Sequence, residues 1–204
     1  MTWPADVRTH AETIVAGYPE PRSAVMPLLY LAMRRDRSLT PDGIRQVAGY
    51  TGLTSVQVES VASFYSMYKR GSVGDFIVSV CTSISCHLLG GDDVLAAVAD
   101  ETGVPPGETG ADGSFSVEGV ECIGACGGAP AVQVNYELVE GVEPEAARRM
   151  CRWLGDGRPE VVTSDHMQAE FGGQKSFEWG PEEREGAVGP FPAFGPLGTT
   201  GQAP

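Results

Sequence analysis

Two close pairs of cysteines constrain this chain of 204 residues more than any other feature. Four residues separate Cys81 from Cys86, three separate Cys122 from Cys126, and thirty-five residues lie between the pairs. Four soft thiolates on two loops form a ligand set for a metal ion or an iron-sulfur cluster, and a hydrophobic core has no need of such spacing. The fold is therefore expected to bring the two loops together, and the function to lie where they meet.

The second pair lies in a glycine-rich segment, residues 121–130, which reads ECIGACGGAP. Gly124, Gly127 and Gly128 allow tight turns and bring backbone N–H groups close to a bulky anionic ligand, which favours a cluster over a bare ion. A structural zinc held by four thiolates stays open as an alternative. Paired zinc ligands are typically about two to four residues apart, but a pair set in glycines is less typical of zinc.

The charge of the chain limits the choice of partners. Lysine and arginine total 14 against 27 aspartates and glutamates, which gives a formal net charge of -13. Such a chain repels the phosphate backbone, so no nucleic-acid partner is expected. No apolar run approaches the roughly 20 residues of a membrane-spanning helix, and the first residues do not resemble a secretion signal. We therefore expect a cytoplasmic chain with reduced cysteines.

Two patterns divide the chain. Residues 1–70 are predicted to form a helical domain, with Ser23, the Thr40-Pro41 pair and Thr54 as helix starts. From residue 71 the order is strand, helix, strand, strand, helix, and both cysteine pairs follow strand ends. The fold class is therefore α+β, and residues 71–157 are expected to form a thioredoxin-like core. Thiol-disulfide chemistry is not expected, since neither pair has the C-x-x-C spacing.

The last residues have a different composition. Residues 158–204 are rich in proline, glycine and acidic side chains, which predicts a disordered or partner-docking tail. Trp179, Phe191 and Phe194 would be its anchors. Of the remaining candidate ligands, Cys151 lies in a helical pattern as a buried apolar residue, and His87 could replace a cysteine only in a mixed site.

Two segments carry a resemblance to a known family. Residues 80–91, VCTSISCHLLGG, and residues 120–135, VECIGACGGAPAVQVN, closely resemble the thioredoxin-like [2Fe-2S] subunit of respiratory complex I. In bacteria this is the E subunit of NADH:quinone oxidoreductase. The similarity extends over about residues 20–155, including the segment VASFYSMY at 61–68.

The resemblance implies a function and a set of ligands. The family's cluster ligands correspond to Cys81, Cys86, Cys122 and Cys126. The chain would be an electron-transfer subunit of the quinone-reducing translocase of a respiratory chain, with no substrate site of its own. NADH and FMN would be bound by a partner flavoprotein subunit, and further iron-sulfur subunits would complete a peripheral arm on the cytoplasmic side of the bacterial inner membrane.

Two other functions stay open at this point. Close relatives of this subunit serve in the diaphorase modules of NAD-linked hydrogenases and formate dehydrogenases, which keeps the cluster but changes the complex. A zinc-stabilised adaptor without a redox role would bind its partners through the helical region and the tail. Metal and sulfide content distinguishes the adaptor from both electron carriers.

Overall fold

The computed structural model describes residues 3–177 and 186–190. Within these ranges the chain divides into two compact units, one of residues 3–72 and one of residues from 73 onward. The proposed anchors Trp179, Phe191 and Phe194 lie outside the described residues.

The first unit is built from four helices. They are α1 (Ala5–Ala16), α2 (Val25–Asp36), α3 (Pro41–Thr51) and α4 (Ser55–Phe64). Their apolar faces bury Leu28, Leu29, Val47 and Val58 completely. Burial of these faces supplies most of the helix stability, because short helices are marginal by themselves.

Two of the three predicted helix starts in this unit are confirmed. The Thr40 hydroxyl accepts a hydrogen bond from the Gly43 N–H at 3.0 Å, and Thr54 with Gln57 forms a capping box. The prediction for Ser23 is wrong, because a 3₁₀ turn at Pro21–Ala24 precedes α2. Ser23 lies inside that turn, and its N–H donates to the Glu20 carbonyl at 2.9 Å.

The second unit contains a five-stranded sheet. In chain order its elements are β1 (Phe76–Cys81), α5 (Ile84–Leu88), α6 (Gly91–Thr102), β2 (Glu108–Thr109), β3 (Phe115–Val120), β4 (Val132–Val134), β5 (Glu137–Val139), α7 (Pro144–Gly157), β6 (Val161–Val162), α8 (Ser164–Phe171) and β7 (Ala187–Val188). The strand order is β2-β3-β1-β4-β5, and β6 pairs separately with β7. The predicted α+β class is confirmed.

The sheet register determines where the cysteine loops begin. β1 and β3 run parallel with Cys81 opposite Val120, so the two loops leave the sheet at the same edge. β4 pairs antiparallel with β1, and Val132 lies opposite Val80 near that edge. Valines of these strands are buried with Met150 and Leu154 of α7 in one core. A rigid sheet thus fixes the starting points of both loops.

The sheet contains two strands that the sequence did not predict, β2 and β5. After β4 the chain turns at Asn135 and Tyr136, both with positive φ, and returns as β5. Asn135 is buried, and its side chain accepts from the Ile77 N–H at 2.7 Å and donates to the Asp75 carbonyl at 3.0 Å. These bonds stabilise a left-handed turn that contains no glycine. The sequence therefore lacks the Asn-Gly or Asp-Gly pair that usually indicates a hairpin.

The end of α7 also differs from the sequence pattern, which predicts a stop at Gly155. The helix continues to Gly157, and Arg158 takes the left-handed position after it. The Arg158 guanidinium donates to Asp75 at 2.7 Å and to the Ser114 hydroxyl at 3.2 Å. These contacts place the helix end beside the start of the sheet.

Residues 161–171 were expected to belong to the tail but form β6 and α8. The Thr163 hydroxyl caps α8 by accepting from the His166 N–H at 3.3 Å. Met167 and Phe171 are buried in the core of the second unit. The composition of residues 158–204 did not indicate this helix, because only a few apolar residues, spaced one helical turn apart, pack it against the core.

Candidate metal centre

The first cysteine pair lies on regular secondary structure. Cys81 is the last residue of β1, and Cys86 lies in the short helix α5, which the sequence had predicted as a loop. Their exposed fractions are 3% and 2%. The Cys81 N–H donates to the Ala131 carbonyl at 3.0 Å, so the strand ladder continues up to the thiol.

A close backbone contact fixes the fold of this loop. A Cβ atom on Gly91 would lie 2.8 Å from the Cys81 carbonyl oxygen and 2.9 Å from that of Cys86. Only glycine fits at such a distance. Gly91 therefore allows α6 to start directly against the loop that joins the two thiols.

The second pair lies on an exposed loop. Cys122 follows β3, and Cys126 begins the 3₁₀ turn Cys126–Gly128. Both side chains are exposed. Gly124 between them has a φ of 91°, a left-handed conformation that glycine adopts without strain. Only the backbone and the residues behind it hold this pair in place.

The two loops meet at the sheet edge. The Cys81 thiol donates weakly to the Glu121 carbonyl, with 3.8 Å between sulfur and oxygen. Burial raises the pKa of the Cys86 thiol to about 11; a backbone hydrogen bond from Ala131 opposes the rise, and the nearby thiols of Cys81 and Cys126 add to it. The structure thus brings Cys126 of the second pair close to Cys86 of the first.

The surroundings of the thiols are apolar. Cys81 and Cys86 are packed with Ala125 and Ala131, and around these lie the partly buried Ile123, Ala129 and Leu138. A low dielectric makes interactions between the site and nearby charges stronger. The exposed side of the site carries Cys122 and Cys126.

The donor set at this edge of the sheet is four cysteine thiols in two pairs. Over residues 3–177 and 186–190, no group of three or more histidine, cysteine, aspartate or glutamate side chains is arranged to hold one metal ion. Four cysteines around one zinc would each lie about 2.3 Å from it. A [2Fe-2S] cluster uses four cysteines as two pairs, one pair for each iron. The donor set, two cysteine pairs on facing loops, fits this group.

The other candidate residues have contacts of their own. The His87 ring, exposed, lies 2.7 Å from Asp92 through its Nδ1. Cys151 is buried in the core of the second unit, and burial raises the pKa of its thiol to about 12. The prediction that Cys151 is a buried apolar residue is confirmed.

Sequence reasoning missed two sets of residues near the site. Glu140 and Ser176 lie behind the loop of the second pair, where Glu140 is completely buried. No sequence motif contains both residues, because they are thirty-six positions apart in the chain. The apolar residues on the outer side of α5 and just after it are exposed, namely Ile84, Leu88 and Leu89.

Each helix in the described part of the chain is too short or too polar to span a bilayer.

Comparison with known proteins identifies the family. The family model of thioredoxin-like [2Fe-2S] ferredoxins matches residues 11–154. The E subunit of the NADH-quinone oxidoreductase of Mycobacterium tuberculosis strain H37Rv is 39% identical over 166 residues, which are 79% of this chain and 66% of the relative. NADH-quinone oxidoreductase subunit 2 of Thermus thermophilus is 38% identical over 134 residues, which are 65% of this chain and 74% of the relative.

A solved structure shares the fold. A crystal structure of an NAD+-reducing [NiFe]-hydrogenase in the air-oxidized state matches with a TM-score of 0.57 and 17% identity, over 65% of this chain and 23% of the hydrogenase chain. At this identity the likeness concerns the fold. The matched region also spans only about two thirds of the mycobacterial subunits, at 66%. The family model covers more than half of this chain, so the chain belongs to the thioredoxin-like [2Fe-2S] ferredoxin family, and the predicted thioredoxin-like core is confirmed.

Proposed function

We propose that this chain is a [2Fe-2S] electron-transfer subunit of an NADH:quinone oxidoreductase, and that Cys81, Cys86, Cys122 and Cys126 bind its one cluster. The observation that carries the proposal is the convergence of two cysteine loops at one sheet edge in a chain of this family. When bound, the cluster supplies one-electron transfer. The chain itself has the task of holding it and placing it near a donor.

The two sides of the site have separate tasks. Cys81 and Cys86 are buried, and with Ala125 and Ala131 they exclude water from the inner side. Cys122 and Cys126 are exposed, so the outer side faces a partner. N–H groups of the glycine loop stabilise added negative charge, while nearby carboxylates and burial oppose it.

The proposed partner is an FMN- and NADH-binding flavoprotein subunit, which exchanges single electrons with this chain. Exposed Leu88 and Leu89 next to Cys86 give an apolar contact surface beside the site. Exposed apolar side chains that border a functional site are typical of interfaces. Further iron-sulfur subunits would complete the peripheral arm on the cytoplasmic side of a bacterial plasma membrane.

Spectroscopy with metal analysis tests the proposal. We expect the chain purified without oxygen to contain about two irons and two sulfides, and to give one S = 1/2 EPR signal after reduction. Cys126→Ser should lose the visible absorption and assemble poorly, while the control Cys151→Ala keeps it. Unchanged absorption in Cys126→Ser would refute the ligand assignment. Zinc without a chromophore, persisting after iron and sulfide reconstitution, would favour the adaptor.

A second candidate keeps the cluster but changes the complex. The fold shared with an NAD+-reducing [NiFe]-hydrogenase is compatible with a diaphorase module of a hydrogenase or formate dehydrogenase. Affinity purification from the source cell separates the two. Recovery of membrane quinone-reductase subunits supports the first candidate, and recovery of a hydrogenase or molybdenum-enzyme subunit supports the second.

A further inference from the structure

One buried carboxylate is not used by the proposed function. Glu140 follows β5 and is 1% exposed. Its Oε1 accepts from the Ser176 N–H at 3.2 Å and also from the Ser176 hydroxyl. Among the described residues its Oε2 has no hydrogen-bond partner. A carboxylate in this position costs free energy of folding, so a role beyond packing is expected.

The backbone of Glu140 is held on both sides. Its N–H donates to the Gln168 side-chain oxygen at 2.8 Å, and the Gln168 amide donates back to the Glu140 carbonyl at 3.1 Å. The Gly173 N–H donates to the same carbonyl at 2.8 Å. Residue 140 is thereby fixed to α8 and to the segment that follows it, residues 172–177.

The Glu140 side chain lies directly behind the second cysteine loop. A Cβ atom on Gly128 would lie 2.5 Å from Glu140 Oε1 and 2.8 Å from the Gln174 carbonyl oxygen. One on Gly127 would lie 3.1 Å from the Ser176 hydroxyl oxygen. The Gly141 N–H also donates to the Gly128 carbonyl at 2.6 Å. Gly127 and Gly128 immediately follow Cys126, so these contacts restrict the position of its thiol.

We propose that Glu140 and Ser176 are positioning residues for Cys126, and that residues 172–177 form a strap that holds the outer cysteine loop against the sheet. The metal-ligand part of this inference rests on the proposed function. A strand and a helix hold Cys81 and Cys86. The exposed pair has neither, and the strap supports it instead. Apart from the strap, the loop is held by the hydrogen bond from the Gly128 N–H to the Ala125 carbonyl at 3.2 Å, within its own turn, and by the one from the Gly141 N–H to the Gly128 carbonyl at 2.6 Å.

The chain contains a matched control. Glu137, also buried on β5, accepts from the N–H and hydroxyl of Ser164 at 3.2 and 2.9 Å. Its register partner is Val134, at the hairpin end of β4, whereas Glu140 lies beyond the Val139 and Val132 pair at the cysteine edge. Three residues along a strand correspond to about 10 Å. Loss of the Ser164 hydroxyl therefore removes a similar hydrogen bond about 10 Å along the strand from Glu140, together with the one that this hydroxyl accepts from the Leu138 N–H at 2.9 Å.

Hydrogen exchange of the metal-free full chain is the first test. We expect Ser176→Ala and Glu140→Ala to raise the exchange rate of the peptide covering residues 121–130 about tenfold. Glu140→Gln keeps an accepting oxygen and should stay within about threefold of the unaltered chain. Ser164→Ala should leave this peptide unchanged. Unaltered exchange in Ser176→Ala, or equal loosening by Ser164→Ala, would overturn the inference.

The reconstituted chain provides the second test. We expect Ser176→Ala to release iron to a chelator about tenfold faster and to shift the EPR g values of the reduced protein, with Ser164→Ala at the unaltered values. Identical g values and release rates in Ser176→Ala would overturn the positioning of Cys126. If neither the variants nor the unaltered chain bind a cluster, the proposed function fails, while the exchange test of the strap still stands.

Discussion

The two cysteine pairs are built in opposite ways. Cys81 and Cys86 lie on a strand and a helix and are buried, whereas Cys122 and Cys126 lie on an exposed loop rich in glycine. The inner pair is positioned by elements that the whole sheet stabilises. The outer pair depends on Glu140 and the segment after α8, which reach it from behind.

This difference separates rigidity from access. The inner pair lies in an apolar environment with no exposed thiol, and the outer pair leaves one side of the site open. A site that accepts electrons from a partner needs both properties, since the ligands must be held and one side must be approached closely. We therefore expect substitutions in the two pairs to have different effects on the metal-free chain.

Removal of one ligand from each pair has the largest expected effect. Cys86→Ser and Cys122→Ser should both abolish the visible absorption of the cluster, because each takes away one of four thiolates. In the metal-free chain Cys86→Ser should lower the free energy of unfolding by about 1–3 kcal/mol, since it buries a hydroxyl. Cys122→Ser should leave that energy within about 0.5 kcal/mol. Absorption spectra and urea unfolding measure the two quantities.

Equal unfolding free energies for these two variants would contradict the proposed difference between the pairs, because the inner pair would then be no better packed than the outer one. Cys151→Ala serves as the control that retains the cluster. Its thiol is buried in the core and lies apart from the two loops.

Thiol reactivity gives the next largest effect. In the metal-free chain at pH 8, iodoacetamide should modify Cys122 and Cys126 about a hundredfold faster than Cys81 and Cys86, because exposure controls access. Cys151 should react slowly, since burial raises the pKa of its thiol to about 12. Its thiolate fraction increases about tenfold for each unit of pH below that value, so its rate should increase with pH. Peptide mass spectrometry follows each site, and equal rates for both pairs would contradict the structure.

Glycine substitutions test the backbone support of each loop. Gly91→Ala would place a Cβ 2.8 Å from the Cys81 carbonyl oxygen and 2.9 Å from that of Cys86. These oxygens belong to the backbone and cannot move without it. We expect a loss of about 1–3 kcal/mol in the free energy of unfolding. Gly128→Ala would place a Cβ 2.8 Å from the Gln174 carbonyl oxygen and against the Glu140 side chain; the exposed Cys126 and Gly127 before it can adjust more easily than the strand and helix around Gly91, so its loss should be smaller.

Gly49→Ala is the control for these two variants. Nothing lies within 4 Å of a Cβ at this exposed position in α3. It should stabilise the chain by about 0.5–1 kcal/mol, because alanine is the better helix former. A larger loss for Gly128→Ala than for Gly91→Ala in thermal or urea unfolding would reverse the assignment of the rigid loop.

The sequence predicted most of the inner pair's environment. The predicted strand before Cys81 and the predicted helix after Cys86 are confirmed as β1 and α6, because each element is set by residues within a few positions of the chain. The glycines around Cys122 and Cys126 likewise indicated tight turns. Local rules suffice where an element is set by its own neighbours.

The support of the outer pair could not be predicted, because it comes from distant parts of the chain. The turn at Asn135 depends on backbone groups of Asp75 and Ile77, and Glu140 meets Ser176 across thirty-six positions. The strap follows α8, which lay inside the expected tail. Such contacts between distant segments leave no periodicity in the sequence, so a glycine such as Gly128 indicates close approach without naming its neighbour.

The smallest expected effect on the chain itself concerns the outer surface of the inner loop. Leu88 is 75% exposed, so Leu88→Ser should change the free energy of unfolding by less than about 0.5 kcal/mol. In a complex with the proposed flavoprotein subunit the same change should weaken binding about tenfold, because a buried leucine is lost from the interface. Val56→Ser, at a 77% exposed position of α4, is the control. Titration calorimetry with the purified partner measures this affinity. Unchanged affinity in Leu88→Ser would show that the loop of the buried pair only holds ligands. Weakened affinity would show that this loop also forms the contact that brings the exposed pair to its donor.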